Sequence, residues 1–123
     1  MSVATKGLFI IGAKRTPFGA FGGKLKTLSS TDLAVHASQA AIKDAKISSD
    51  KIDETIYGNV IPSSLDAAYL SRHVGLKCGV PIASPSLNIN RLCGSGFESV
   101  CLGAEAIIQG RSKVVLAGGT ENM

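Results

Sequence analysis

The sequence predicts an α/β fold with a mainly parallel sheet. Short apolar runs alternate along the chain with longer stretches whose apolar residues recur at helical spacing. Glycine or proline punctuates the junctions between them. Such alternation implies parallel strands joined by right-handed crossover helices.

The first strand is expected at Leu8 to Ala13, a compact apolar run after Gly7. Lys14 to Ser30 is basic and glycine-rich, with turn signals at Thr16-Pro17 and Gly22-Gly23, and reads as a loop. Ser30 or Thr31 is expected to cap a helix that starts near Asp32 and carries Leu33, Ala34, Ala37, Ala40 and Ala41 on one face. Ile56 to Ile61 is the second strand, ended by Pro62. Asp66 to Gly75 reads as a short helix with Gly75 at its C-terminal cap. Ser86 to Asn90 is the third strand. The next helix has the clearest period, with Phe97, Val100, Cys101, Ala104, Ile107 and Ile108 on one stripe. Its other face is also largely apolar, which predicts burial on more than one side. Gly110 ends it, and Lys113 to Ala117 is the last strand before Gly118-Gly119.

Composition excludes several function classes. A chain of 123 residues suffices for one domain with one core, residues 1–123, and 45% hydrophobic against 18% charged residues is globular. The net charge of +4 is concentrated early: Lys6, Lys14, Arg15, Lys24 and Lys26 all precede the first acid, Asp32. That segment reads either as a solvated basic end or as an anion-handling or organelle-addressing one. No basic run interleaved with aromatics supports nucleic-acid binding. No stretch approaches the roughly 20 apolar residues of a membrane span. The cysteines Cys78, Cys93 and Cys101 are odd in number and sparse, which points to a reducing compartment. None forms a CxxC pair, so no metal site is expected.

The chemically informative stretch runs from Asn88 to Ser99, Asn-Ile-Asn-Arg-Leu-Cys-Gly-Ser-Gly-Phe-Glu-Ser. It places Cys93 between a strand end and a helix start. Unpaired N–H groups and the positive dipole end there favour a thiolate, a strong nucleophile toward an acyl carbonyl. The same N–H groups can stabilise an oxyanion. The pattern alone leaves two other readings open. Cys93 can be a small core residue, or Gly94-Ser95-Gly96 can be a degraded dinucleotide fingerprint, although its third position is Ser99 rather than Gly or Ala. Cys101 falls on the apolar stripe and reads as core, and Cys78 sits in a glycine-flanked loop. His36 and His73 lie on helices, away from the strand-end loops where a base for Cys93 is expected.

Four segments in order, Lys14 to Gly19 (KRTPFG), Gly58 to Val60 (GNV), Asn90 to Gly96 (NRLCGSG) and Gly118 to Met123 (GGTENM), resemble the N-terminal signatures of the thiolases. The likeness is to the mitochondrial 3-ketoacyl-CoA branch of that family and spans about Leu8 to Met123. It implies a thiolase-like fold, an N-terminal half-domain incomplete at its C-terminal end, with the cysteine helix buried between two similar α/β halves. It implies that Cys93 takes up the acyl group, and that a 3-ketoacyl-CoA is cleaved by CoA to acetyl-CoA and a shortened acyl-CoA in fatty acid β-oxidation. Acyl-CoA and CoA are the implied partners, CoA as co-substrate with no further cofactor. The resemblance also implies a homo-oligomer and the mitochondrial matrix, which the acid-free first 31 residues suit as an import signal. The family's activating histidine, its second cysteine and its CoA-gripping loop have no counterpart here, so the 123 residues alone are expected to be inactive. A ketosynthase-like condensing enzyme and a non-catalytic fragment are the alternatives.

Overall fold

The computed structural model describes residues 7–123; Lys6, the first of the early basic residues, lies outside them. The elements are α1 (Ser30–Ala45), β1 (Glu54–Gly58), α2 (Leu70–Lys77), β2 (Ser86–Ile89), α3 (Ser95–Ile108) and β3 (Val115–Gly119), with short 3-10 turns at Ser49–Lys51 and Ala67–Tyr69. The sheet is parallel throughout, in the order β2-β1-β3. Gly58 pairs with Ile89 on one side and Gly119 on the other.

The central strand explains the layering. Thr55 and Tyr57 point to one face: a Cβ on Gly75 of α2 would meet Thr55 Oγ1 at 2.9 Å, and Tyr57 reaches Ser38 of α1. Glu54 and Gly58 point to the other, toward Ser112 and the start of α3. The period of two thus sets α1 and α2 on one side and α3 on the other. The main core lies on the α1/α2 side, around Ala34, Ile52, Tyr57, Leu70, Val74 and Leu116. Ser38 donates its proton to the Ala34 carbonyl at 2.6 Å, so Tyr57 donates to Ser38 Oγ at 2.5 Å. Burial pushes the Tyr57 phenol up to about 12, which keeps it a donor.

Several expectations are corrected. Leu8 to Ala13 forms no strand; Phe9 and Ile10 are exposed. Gly12 is set against the Ala41 carbonyl of α1, where a Cβ would come within 2.5 Å. The run thus leans on α1 instead of extending the β3 ladder. The cap of α1 is Ser29, not Ser30 or Thr31. Asp32 N–H donates to Ser29 Oγ at 3.0 Å and Ser29 N–H donates to Asp32 Oδ2 at 3.1 Å, a reciprocal capping box. Ser30 and Thr31 are fully buried instead. The second helix begins at Leu70 after the 3-10 turn, and its left-handed terminator is Gly79 (φ 81°), not Gly75. Gly75 is buried against Thr55.

The largest correction concerns α3. Its buried residues are Ser95, Ser99, Gly103 and Ala106, and Phe97, Val100, Cys101 and Ile108 are exposed. The small-residue face packs on the sheet because the helix approaches very closely. A Cβ on Gly58 would meet Ser95 backbone at 2.6 Å, one on Gly119 would meet Gly96 Cα at 2.7 Å, and one on Gly103 would meet Val115 at 3.1 Å. Ser99 Oγ completes the seam, its single proton shared between the carbonyls of Gly96 and Gly118 at 2.6 and 2.8 Å. Leu and Phe cannot fit such a gap.

Two tests follow from this packing. Gly119→Ala should destabilise by about 1–3 kcal/mol through overpacking. Gly96→Ala, whose Cβ would meet nothing nearer than 3.9 Å, should be neutral or stabilising by up to about 1 kcal/mol. Equal denaturation midpoints for the two variants would refute the seam. The other test concerns Asp53, whose carboxylate accepts from Lys113 and Val114 N–H at 2.7 and 3.0 Å. These bonds, chiefly that from Val114, hold its pKa below the ordinary 3.8. A depressed folded-state pKa gives stability that is present above 3.8 and is lost as pH falls through the folded value. Asp53→Asn should therefore lower the thermal midpoint at neutral pH, and the gap from wild type should close as pH drops below 3.8.

Candidate active-site turn

Cys93 is exposed and lies in the turn between β2 and α3, at the carboxyl end of the sheet. This is where ligands bind in open parallel sheets. The turn is tightly defined. Leu92, the residue before Cys93, is left-handed (φ 52°), a conformation that costs a branched L-residue about 1–2 kcal/mol. Hydrogen bonds hold it there. Leu92 N–H donates to Asn90 Oδ1 at 3.0 Å, and the Leu92 carbonyl accepts from Ser95 N–H at 3.0 Å and Ser95 Oγ at 2.6 Å. Ser95 Oγ also accepts from Arg91 N–H at 2.8 Å, and Gly94 N–H donates to the Arg91 carbonyl at 3.2 Å. Ser95, which takes part in three of these bonds, is buried.

Arg91 closes the flank, pairing with Glu98 at 3.2 Å and lying 5.3 Å from the Phe97 ring centre. The exposed thiol therefore projects from a fixed backbone at the start of a helix of 14 residues. The Ser95 N–H is taken by the Leu92 carbonyl, whereas the Gly96 and Phe97 N–H groups have no intrahelical acceptor and can bind negative charge developing at the helix start.

Among the expected candidates, the structure separates the three cysteines clearly. Cys78, expected in a loop, caps the end of α2 and is buried in the core, where burial pushes its thiol pKa up. Cys101, expected in the core, is exposed on the outer face of α3. His36 lies on α1 and His73 on α2, across the sheet from α3. Neither is brought to Cys93. Among the described residues, no group of three or more His, Cys, Asp and Glu side chains could hold a metal ion. No helix among them is long and apolar enough to cross a membrane.

Sequence reasoning missed the roles of Asn90 and Ser95. The signal was available in part: Asn two residues before a tight turn and Ser at its exit are side chains that bond nearby backbone. The seam glycines Gly58 and Gly119 were visible only as parts of Gly-Asn-Val and Gly-Gly-Thr-Glu. The geometry shows why glycine is needed at both: they make room for the Cys93 turn.

Residues 8–123 match the thiolase N-terminal domain. The chain is 52% identical over 118 residues to the mitochondrial 3-ketoacyl-CoA thiolase of Homo sapiens, covering 96% of this chain and 30% of that protein. It is 54% identical over 118 residues to the mitochondrial 3-ketoacyl-CoA thiolase of Mus musculus, with the same coverage. The human mitochondrial enzyme, solved in complex with CoA, superposes with a TM-score of 0.87 at 51% identity, over 89% of this chain and 28% of that one. The chain thus spans about a third of the length of these relatives. Its match across nearly every residue, with the same fold, shows that it belongs to the thiolase family.

Proposed function

We propose that this chain supplies the nucleophile-bearing N-terminal part of a 3-ketoacyl-CoA thiolase, with Cys93 as the residue acylated during turnover. The supporting observation is an exposed cysteine on a clamped turn at a helix start, in a chain of this family. The Cys93 thiolate attacks the 3-keto carbonyl carbon of a 3-ketoacyl-CoA, and the carbonyl oxygen becomes an alkoxide. Collapse breaks the bond between carbons 2 and 3, and its electron pair leaves on carbon 2 as the enolate of acetyl-CoA. A proton donor converts the enolate to acetyl-CoA. The CoA thiol then attacks the acyl group on Cys93, releasing a shortened acyl-CoA and restoring the cysteine. CoA enters as co-substrate and no other cofactor is required.

General acid and base groups are each worth about 100-fold or more in such steps. Neither His36 nor His73 faces Cys93, so these 123 residues alone are proposed to lack turnover. The working enzyme is proposed to be a homo-oligomer in the mitochondrial matrix. The named relatives are mitochondrial, and the first 31 residues are basic and free of acid.

The test is acetyl-CoA formation from a 3-ketoacyl-CoA and CoA. The 123-residue chain alone should give none. The full-length protein should turn over and accumulate an acyl-thioester on the peptide holding Cys93 when CoA is withheld. Cys93→Ala should cut its rate by at least about a thousand-fold; retention of activity in that variant would sink the assignment. For location, residues 1–31 fused to a reporter should direct it to the mitochondrial matrix, and a cytosolic or peroxisomal pattern would count against the address.

A further inference from the structure

We infer that Glu121 is a positioning residue for Cys93, acting through Val60 and Asn90. The inference rests on the reading of Cys93 as the nucleophile.

The Glu121 side chain reaches back from beyond β3 and gathers the loop that follows β1. Its Oε2 accepts from Val60 N–H at 2.9 Å, and its Oε1 accepts from Ile61 N–H at 3.1 Å and from Asn59 Nδ2 at 3.0 Å. Asn59 Nδ2 also donates to the Thr120 carbonyl at 2.9 Å, and Thr120 N–H donates to the Gly58 carbonyl at 3.0 Å. One carboxylate thus takes three donors from the segment just past β1, which β2 holds only at its start, where the Asn59 N–H donates to the Ile89 carbonyl at 3.2 Å. Bonds to a charged acceptor are stronger than neutral ones.

The loop carries this order onward to the cysteine turn. The Val60 carbonyl accepts from Asn90 Nδ2 at 3.3 Å, and Asn90 Oδ1 accepts from Leu92 N–H at 3.0 Å. The amide of Asn90 is thereby fixed at both ends. Its nitrogen is held by the Glu121-bound loop, and its oxygen by the left-handed residue next to Cys93. Leu92 is in a costly backbone conformation, so loss of its acceptor should let the turn relax and Cys93 move. Nothing in the path requires Glu121 to touch a substrate.

The residue chemistry excludes simple substitutes. Glutamine at 121 would place an NH2 group against either the Val60 N–H or the Ile61 and Asn59 donors, because both carboxylate oxygens are used as acceptors.

The experiment is a coupling measurement in the full-length protein, using iodoacetamide as the probe and following Cys93 by peptide mass. Glu121→Gln and Asn90→Ala should each change the native alkylation rate of Cys93 by about five-fold or more, with a shifted rate–pH profile. Their rates after denaturation should equal the wild-type rate. In the double variant the effects should not multiply, since Asn90→Ala already cuts the path. An unchanged Cys93 rate in Asn90→Ala, or effects that multiply fully, would overturn the relay. Should Glu121→Gln fail to fold, the rate in Asn90→Ala alone decides between the two outcomes. Alkylation needs no turnover, so a wild-type Cys93 that reacts normally while the variants match it defeats the relay and leaves the proposed function standing. A wild-type Cys93 that does not react defeats the function.

Discussion

The first turn of α3 rests on bare backbone at the ends of β1 and β3, and the placement of Cys93 depends on that contact. Gly58 and Gly119 are register partners, so both strand ends are stripped of side chains at the same level of the sheet. Ser95 and Gly96 settle into the space. A methyl group on either strand glycine would lift the helix start and with it the cysteine turn. Ser99 then ties the helix to the Gly118 carbonyl, and Gly103 continues the close approach against Val115. The helix is positioned by absence of bulk and by a few hydrogen bonds, with Ala106 and Ile56 as the buried apolar residues on this side.

This arrangement separates two tasks. The α1/α2 side of the sheet holds the apolar core, with Leu70 and Val74 completely buried. The α3 side carries the Cys93 turn and leaves Phe97, 60% exposed, together with Val100 and Ile108 on the helix's outer face. Cys78 and Cys93 illustrate the difference. The first is a core residue whose thiol is held protonated by burial, whereas the second stands in the open on a fixed turn.

The parallel α/β pattern, the three helices and the Cys93 turn were legible in the sequence because each has a local signal: helical spacing, glycine stops and the Cys-Gly-Ser-Gly run. The face of α3 was not legible. Its apolar stripe follows the helical period closely, yet the sheet takes the Ser95, Ser99, Gly103 and Ala106 face. Periodicity reports which residues are apolar, not how near a neighbour comes, and a close approach selects small side chains over large ones. The same limit misplaced Leu8 to Ala13, whose strand-like composition says nothing about whether an edge accepts it. Capping depended on one hydroxyl among Ser29, Ser30 and Thr31, and the choice rests on the three-residue spacing from Ser29 to Asp32. The links through Glu121, Asn90 and Ser95 join residues far apart in the chain or act through backbone, and neither kind leaves a periodic trace.

The fold exposes Cys93 on a clamped turn and Cys101 on the outer face of a helix, and buries Cys78 in the core. Native alkylation rates of Cys78, Cys93 and Cys101, each followed by peptide mass across neutral pH, measure that distinction site by site. Cys93 should react fastest and Cys78 slowest, with all three converging once the protein is unfolded. Faster modification of Cys101 or Cys78 than of Cys93 at neutral pH would contradict this selective presentation.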